Sequence, residues 1–180
     1  MQQLATPDEL LAQLADKLQT LLKDKAIDNP LMVGIHTGGL WVATKLHQQL
    51  NNSTTIFSEP LASLDISFYR DDFSRIGMNP EVKPSQLPPD VDDRHIVLVD
   101  DVLHTGRTIR AAMNELFDYG RPASITLVCL IERSGRELPL QADIVGEHIK
   151  LNEGEHIKLT GPEPLAFELQ QQIHKNASNG

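Results

Sequence analysis

Short apolar runs alternate with stretches of helical periodicity along this chain, and that alternation is what most limits its fold. Leu31-Met32-Val33-Gly34-Ile35, Ile96-Val97-Leu98-Val99 and residues 125–131 are almost wholly apolar, the pattern of strands buried on both faces. Between the first two, Leu40, Ala43, Leu46 and Leu50 fall at helical spacing, and residues 108–118 read as another helix, ended by Gly120. Strands alternating with helices favour a parallel sheet covered on both faces, and ligands of such sheets collect at the carboxyl ends of the strands. The expected fold class is α/β. At 180 residues the chain has the length of one domain, since domains run to about 150 residues.

The remaining segments fit around that core. Thr6-Pro7-Asp8-Glu9 has the form of a capping box with proline in the first turn. Leu10, Leu14, Leu18, Leu21 and Leu22 then recur at helical spacing, so a helix lays one leucine face on the domain and shows Lys17, Lys23 and Asp24 to water. Leu64, Ile66 and Phe68 alternate with Asp65, Ser67 and Tyr69, as in a half-buried strand. Residues 71–93 lose periodicity and gather Pro80, Pro84, Pro88 and Pro89; a loop that long in a compact domain is a lid, a binding loop or a disordered segment. Gly-Glu-His-Ile-Lys-Leu occurs twice, at 146–151 and 154–159, with Asn152-Glu153 between the copies. Ile and Leu alternate with His and Lys in both, which predicts a hairpin of two half-buried strands. A metal pair of His148 and His156 lacks a third ligand.

Charge and cysteine content narrow the class further. Asp and Glu number 25 against 16 Lys and Arg, a formal net charge of −9, which excludes a generally basic protein that coats nucleic acid. Cys129 is the only cysteine, so no internal disulfide forms and a reducing compartment, the cytoplasm, is expected. Cys129 sits in an apolar run and reads as a core residue. The first residues show no basic region followed by an apolar one, and no apolar run approaches the roughly 20 residues of a membrane span, so neither export nor membrane insertion is expected.

The stretch that carries chemistry is Ile96-Val97-Leu98-Val99-Asp100-Asp101-Val102-Leu103-His104-Thr105-Gly106-Arg107-Thr108. Four apolar residues run into two adjacent acids, and a short loop then opens a helix. Adjacent carboxylates at the end of a buried strand repel one another and call for a cation or hydroxyl donors. Thr105, Gly106, Arg107 and Thr108 offer hydroxyls, a cation and backbone amides at a helix N-terminus, where the macrodipole favours an anion such as phosphate. A ribose phosphate satisfies both halves. Thr105 or Thr108 serving only as a helix N-cap is the plainer alternative. Asp71-Asp72 and Asp92-Asp93 are also paired acids, but they border the proline-rich segment and read as solvated turns. Neither G-x-x-x-x-G-K-[ST] nor G-x-G-x-x-G occurs, so no NTP loop or dinucleotide fold is indicated.

These thirteen residues resemble the motif by which type I phosphoribosyltransferases bind 5-phosphoribosyl 1-pyrophosphate (PRPP). Val33-Gly34-Ile35-His36-Thr37-Gly38-Gly39, Ile66-Ser67-Phe68-Tyr69-Arg70-Asp71-Asp72 and Glu132-Arg133-Ser134-Gly135-Arg136-Glu137-Leu138-Pro139 are similar, in order and spacing, to segments of the PyrR family. That family comprises uracil phosphoribosyltransferases that in many bacteria also regulate the pyrimidine operon by binding RNA. The resemblance implies a type I phosphoribosyltransferase fold, with a mainly parallel sheet, flanking helices, a small hood and a flexible loop. It implies a single domain over residues 1–180, with an N-terminal helix in 1–28, the active-site loop in 70–93, and the hood and hairpin in 132–162. Asp100 and Asp101 would hold the ribose hydroxyls and serve catalysis, Thr105, Gly106, Arg107 and Thr108 would cradle the 5′-phosphate, and Thr37, Gly38 and Gly39 would form the pyrophosphate loop. Tyr69 and Arg70 would belong to the closing loop, and Arg133 and Arg136 would border the base. Uracil, UMP, PRPP and Mg²⁺ are the implied ligands, and a homodimer or larger homo-oligomer the implied assembly, with the leucine helix available as an interface.

The chain departs from the family pattern at two places. The pyrophosphate loop usually reads Thr-Arg-Gly, and Gly38 replaces the arginine. The later segment usually reads Asp-Arg-Gly-His-Arg-Glu-Leu-Pro, and Glu132, Ser134 and Gly135 differ. Two other readings stay open: an RNA-binding attenuator with nucleotide effectors, and a phosphoribosyltransferase for another base. RNA affinity needs clustered Lys and Arg, and the widest cluster assembled from sequence is Arg133, Arg136 and Arg121, so the acidic balance argues against RNA.

Overall fold

The computed structural model describes residues 4–66 and 85–171. Helix α1 spans Pro7–Asp24, β1 Leu31–Ile35, α2 Gly38–Ser53, β2 Ala62–Leu64, β3 His95–Leu103, α3 Arg107–Asp118, β4 Ser124–Arg133, β5 Ile144–Ile149, β6 Glu155–Thr160 and β7 Ala166–Gln171. Strands β1 to β5 form a parallel sheet in the order β2-β1-β3-β4-β5, and β6 and β7 form a separate antiparallel pair. This is the α/β architecture expected from the alternation. No described helix is long and apolar enough to cross a membrane.

All five residues of β1 are buried because side chains of alternate parity enter two different cores. Met32, Val97, Val99, Val128 and Leu130 join the layer covered by α1 and α2. Leu31, Val33, Ile35, Ile96, Leu98, Leu127 and Cys129 join the layer that includes Ile109, Ala112 and Leu116 of α3. Burial on both faces leaves no position for polar alternation, which is why these strands read as unbroken apolar runs.

The N-terminal helix begins as its sequence predicts. Glu9 N donates to the Thr6 hydroxyl at 3.3 Å and Thr6 N donates to the Glu9 carboxylate at 2.8 Å, closing the capping box. Leu10, Leu14 and Leu18 are at most 1 % exposed, and each such burial contributes about 1.5–3 kcal/mol. The leucine face is therefore consumed inside the chain's own core rather than left for an interface. Lys17 is exposed but not idle, since its Nζ donates to the Val145 carbonyl of β5 at 2.8 Å.

Two expectations are corrected. The strand after α2 is Ala62–Leu64, and Asp65 is buried together with Leu64 and Ile66, so the predicted polar alternation is absent over its described part; residues 67–69 lie outside the described residues. Strand β2 is the edge of the sheet, and the chain at residues 85 and 86 pairs along its outer side and helps to bury it. The chain on either side of the undescribed segment is tied together at this strand, through Ser63 N to Gln86 O at 3.0 Å, Gln86 N to Ser63 O at 2.8 Å and Asp65 N to Ser85 Oγ at 3.0 Å.

The hairpin predicted from the repeat does not form. The first copy enters β5, which pairs in parallel with β4 (Cys129 opposite Val145, Ile131 opposite Glu147). The second becomes β6, which pairs antiparallel with β7 (His156 opposite Gln170, Leu159 opposite Phe167). A turn does stand between them, with Glu155 N on the Asn152 carbonyl at 3.1 Å, but it passes the chain from one sheet to the other. Packing separates the identical copies. Gly146 presses against the Leu130 carbonyl and leaves 3.3 Å from a would-be Cβ to Leu10 of α1, a fit that only the sheet edge under α1 offers.

Candidate functional site

The sheet order places a topological switch point between β1 and β3. From β1 the chain crosses through α2 to β2 on one side, while β3 lies on the other, and ligands of open α/β sheets bind outside the carboxyl ends of the strands at such a point. Thr37, Gly38 and Gly39 follow the end of β1. Asp100 and Asp101 lie in the last half of β3, and Thr105, Gly106, Arg107 and Thr108 follow it. The structure thus brings together the three segments that sequence alone could only set side by side.

The contact is close. A Cβ at Gly38 would collide with the Asp101 carboxylate, and one at Gly39 would stand 2.6 Å from the Val99 carbonyl oxygen and 2.9 Å from the Asp100 Cα. Only glycines let the backbone between β1 and α2 pass this near to β3. Gly38 in place of the family's arginine is thereby accounted for in this conformation, because the Asp101 carboxylate fills the space its side chain would start from. The His36–Thr37 peptide is cis. Asp100 is only 5 % exposed, and its Oδ1 accepts from Asp101 N at 3.0 Å.

Helix ends give the site its charge character. At α1 the N-cap side chain bonds into the helix, and Asp8 and Glu9 occupy the first turn. Neither α2 nor α3 has an acidic residue in its first turn or a side-chain hydrogen bond from its N-cap, which is Thr37 in α2 and Gly106, at φ +94°, in α3. The N-cap alternative is thus decided: Thr105 precedes the cap and Thr108 follows it, though the Thr105 hydroxyl accepts from Arg107 N at 3.2 Å. The first intrahelical bond of α3 is Arg110 N to Gly106 O at 3.0 Å, so amides ahead of Arg110 have no carbonyl of the helix to bond. Two positive helix ends therefore face the same strand edge as two carboxylates.

Side chains from the end of β4 and the segment after it border this edge. Arg136 donates to the His104 carbonyl and to the Glu132 carboxylate, which also stands 3.1 Å from His148 Nδ1. Arg133 NH1 lies 3.3 Å from His156 Nδ1, and its buried Nε has no hydrogen-bond partner among the described residues. Burial pushes the Arg133 guanidinium below its ordinary range. Burial, followed by the Arg133 charge, holds the His104 imidazole low as well. His104 had no signal in the sequence beyond its place between Asp101 and Thr105.

Arg121 does not join Arg133 and Arg136. It precedes β4 and Arg133 ends it, which at ~3.3 Å per residue puts them at opposite edges of the sheet; Arg121 N is held by Asp92 Oδ1 at 2.5 Å. Tyr69 and Arg70 lie outside the described residues. Cys129 is fully buried, and burial, then the neighbouring Asp100 charge, drives its thiol well above the ordinary range, as a core residue requires.

Comparison with known proteins agrees with this geometry. The phosphoribosyl transferase domain family matches residues 2–161. The bifunctional protein PyrR of Nitrosococcus oceani is 59 % identical over 163 residues, covering 91 % of this chain and 90 % of the relative. That of Pseudomonas aeruginosa strain PAO1 is 55 % identical, covering 92 % and 94 %. Among solved structures, hypoxanthine phosphoribosyl transferase of Trypanosoma cruzi is similar with a TM-score of 0.64 at 20 % identity, covering 84 % of this chain and 79 % of that one. A purine phosphoribosyltransferase of Pyrococcus horikoshii gives 0.57 at 22 %, covering 79 % and 82 %. At such identities the structures speak for the fold, which is the type I phosphoribosyltransferase fold. With the close relatives spanning nearly the whole chain, the protein belongs to the phosphoribosyl transferase domain family and, within it, to the PyrR family.

Proposed function

We propose that the protein is a uracil phosphoribosyltransferase, joining N1 of uracil to C1′ of PRPP as the bond from C1′ to pyrophosphate breaks, with UMP and pyrophosphate as products. The N1 proton leaves to solvent. The observation that carries this reading is the meeting, at one switch point, of two adjacent carboxylates with two helix N-termini that lack acidic first turns. A ligand with hydroxyls between two anionic ends matches that order of groups. PRPP has a 5′-phosphate for the start of α3, 2′- and 3′-hydroxyls for Asp100 and Asp101, and a pyrophosphate for the amides at Gly38 and Gly39.

The protein's work in this reaction is to position and to stabilise charge. Thr105 to Thr108 anchor the phosphate, and Asp100, nearly buried, keeps the ribose in register. The transition state has oxocarbenium character, and the carboxylates of Asp100 and Asp101 favour the positive charge that grows on the ribose. Arg133, with an unpartnered Nε, suits a carbonyl oxygen of the base. The pair β6–β7 and the segment after β4 form the hood in this reading, within a single domain over residues 1–180.

No group of three or more His, Cys, Asp or Glu side chains suited to a metal is present among the described residues. Mg²⁺ is commonly held by one or two carboxylates, waters and substrate phosphates. Asp101, whose carboxylate lies against Gly38, is the residue to share it. When bound, the ion supplies neutralising charge to the departing pyrophosphate.

The test is to supply PRPP, Mg²⁺ and, in turn, uracil, hypoxanthine and guanine, and to follow nucleotide formation. UMP from uracil is expected, and Asp100→Asn with Asp101→Asn removes it by at least about 10²-fold while the circular dichroism is kept. Unchanged turnover in that variant excludes the site, and turnover with a purine alone excludes the base.

A second activity is favoured by the relatives' name, bifunctional protein PyrR. The reading is RNA-dependent control of pyrimidine genes with UMP as effector. A gel shift with a pyrimidine-operon leader, with and without UMP, checks it, and absence of a shift at low salt rejects it.

A further inference from the structure

The segment after β4 folds back onto the loop that opens α3 and grips it at several points. Glu137 N and Leu138 N both donate to the Thr105 carbonyl at 3.0 Å. Arg107 Nε donates to Glu137 Oε2 at 2.9 Å. Arg136 donates to the His104 carbonyl and anchors its other nitrogen on Glu132, the two side chains being 22 % and 18 % exposed. The surfaces fit as well as the hydrogen bonds. A Cβ at Gly106 would stand 3.4 Å from Leu138 and 3.6 Å from Arg136 Cδ, and one at Gly135, where φ is +108°, would stand 2.7 Å from His104 Nε2.

These contacts act on the direction of backbone amides. In a planar trans peptide the N–H points opposite to the C=O of the residue before it. Pulling the His104 carbonyl toward residues 136–138 turns the Thr105 N–H away from them, and pulling the Thr105 carbonyl the same way turns the Gly106 N–H away in the same sense. Successive amides aimed alike form an anion-binding concavity. In this loop the aim is set from outside, by a segment about 30 residues further along the chain.

We propose that Arg136 is a positioning residue for phosphate binding: by holding the His104 carbonyl it aims the Thr105 amide, while the backbone of residues 137 and 138, which the same segment carries, aims that of Gly106. The proposal rests on the phosphoribosyl transfer reading for the identity of the anion. It gives Arg136 a role different from that of Arg133. The resemblance puts both beside the base, yet Arg136 spends its guanidinium on the loop and on Glu132, whereas Arg133 retains a donor.

The experiment compares the full-length wild type with R136Q and R136K by steady-state kinetics, and measures binding of UMP and of ribose 5-phosphate by calorimetry. R136Q raises KM for PRPP and weakens both ligands by 10- to 100-fold, on the order expected of a misplaced anchor, with KM for uracil changed by less than about twofold. R136K, which reaches one acceptor but not both, gives a smaller loss in the same direction. Unchanged PRPP and UMP affinity in R136Q overturns the proposal, as does a rise in KM for uracil alone or an equal rise for both substrates. Should R136Q fail to fold, R136K decides by the same readings. Wild type that binds neither UMP nor ribose 5-phosphate rejects the transferase reading itself; wild type that binds both, beside an unaffected R136Q, rejects only the role of Arg136.

Discussion

A Cβ on Gly38 would run into the Asp101 carboxylate, so residue 38 has no room for a side chain unless that carboxylate moves; the Cβ would also stand 3.1 Å from the Cβ of Asp101. The missing side chain thus defines where an acid can stand. Gly38→Ala is expected to lower kcat/KM for PRPP by about 10²-fold, the scale of a roughly 1 Å misplacement at a reacting centre. Thermal stability should hardly change, because residue 38 is at the edge of the sheet rather than in either core. Full activity in Gly38→Ala would show that Asp101 adjusts freely.

The capping box at α1 predicts an acid-sensitive contribution to stability. The Thr6 backbone amide, then its hydroxyl, holds the exposed Glu9 carboxyl below its ordinary range. A carboxyl lowered by folding stabilises the native state above its unfolded pKa, and that contribution is lost as pH falls through about 4.3 and below. Thr6→Ala should lose about 1 kcal/mol at neutral pH, seen as a fall of roughly 2–4 °C in Tm. The difference from wild type should shrink in acid, and a difference that stays constant with pH would contradict the assignment.

The repeated hexapeptide allows one substitution to be made twice in the same local sequence. Gly146→Ala forces a Cβ onto the Leu130 carbonyl and against Leu10, an overpacking expected to cost about 1–3 kcal/mol. Gly154→Ala instead places a side chain in a turn at φ +79°, a backbone penalty of about 1–2 kcal/mol. Chemical denaturation measures both, and a second change distinguishes them: Leu10→Ala beside Gly146→Ala should be better than additive, whereas beside Gly154→Ala it should be additive.

Cys129 should report on opening of the sheet. The thiolate is the form that attacks a disulfide reagent, and here burial and the Asp100 charge keep the thiol protonated. The native protein is expected to leave a disulfide reagent unconsumed until denaturant is added, with native-state labelling as slow as cooperative opening. Rapid stoichiometric labelling of the folded protein would show access that this core does not provide.

What was readable from sequence divides by range. The Thr6–Glu9 cap, the buried strands and the cluster from Asp100 to Thr108 depend on residues close along the chain, and local pattern reports them. The fate of the two hexapeptides was not readable, because alternation fixes which residues share a face and says nothing of which strand is the neighbour; Leu10 and Leu130 on one copy and Phe167 on the other decide that. Nor was the grip of Arg136 and Glu137 on the loop that opens α3, where Glu137 and Arg107 stand 30 residues apart and each passes for an ordinary exposed charge. Asp65 misled for the opposite reason: it looks like the solvent side of a strand, yet it is buried at the end of the edge strand β2, where its amide is held by Ser85.

The helices also differ in what they need from outside the chain. Helix α1 closes its first turn with its own Thr6, Asp8 and Glu9, so its start is complete as synthesised. The starts of α2 and α3 carry no acidic first turn; on the proposed phosphoribosyl transfer reading an anionic substrate meets them, and the folded state alone gains the bonds it makes. Substrate is in that sense part of the protein's own stability: a ligand present at about 100 times its Kd should add roughly 2.7 kcal/mol to unfolding. In a cell the standing concentration of PRPP or nucleotide would then set how much of the protein survives, as well as how fast it turns over.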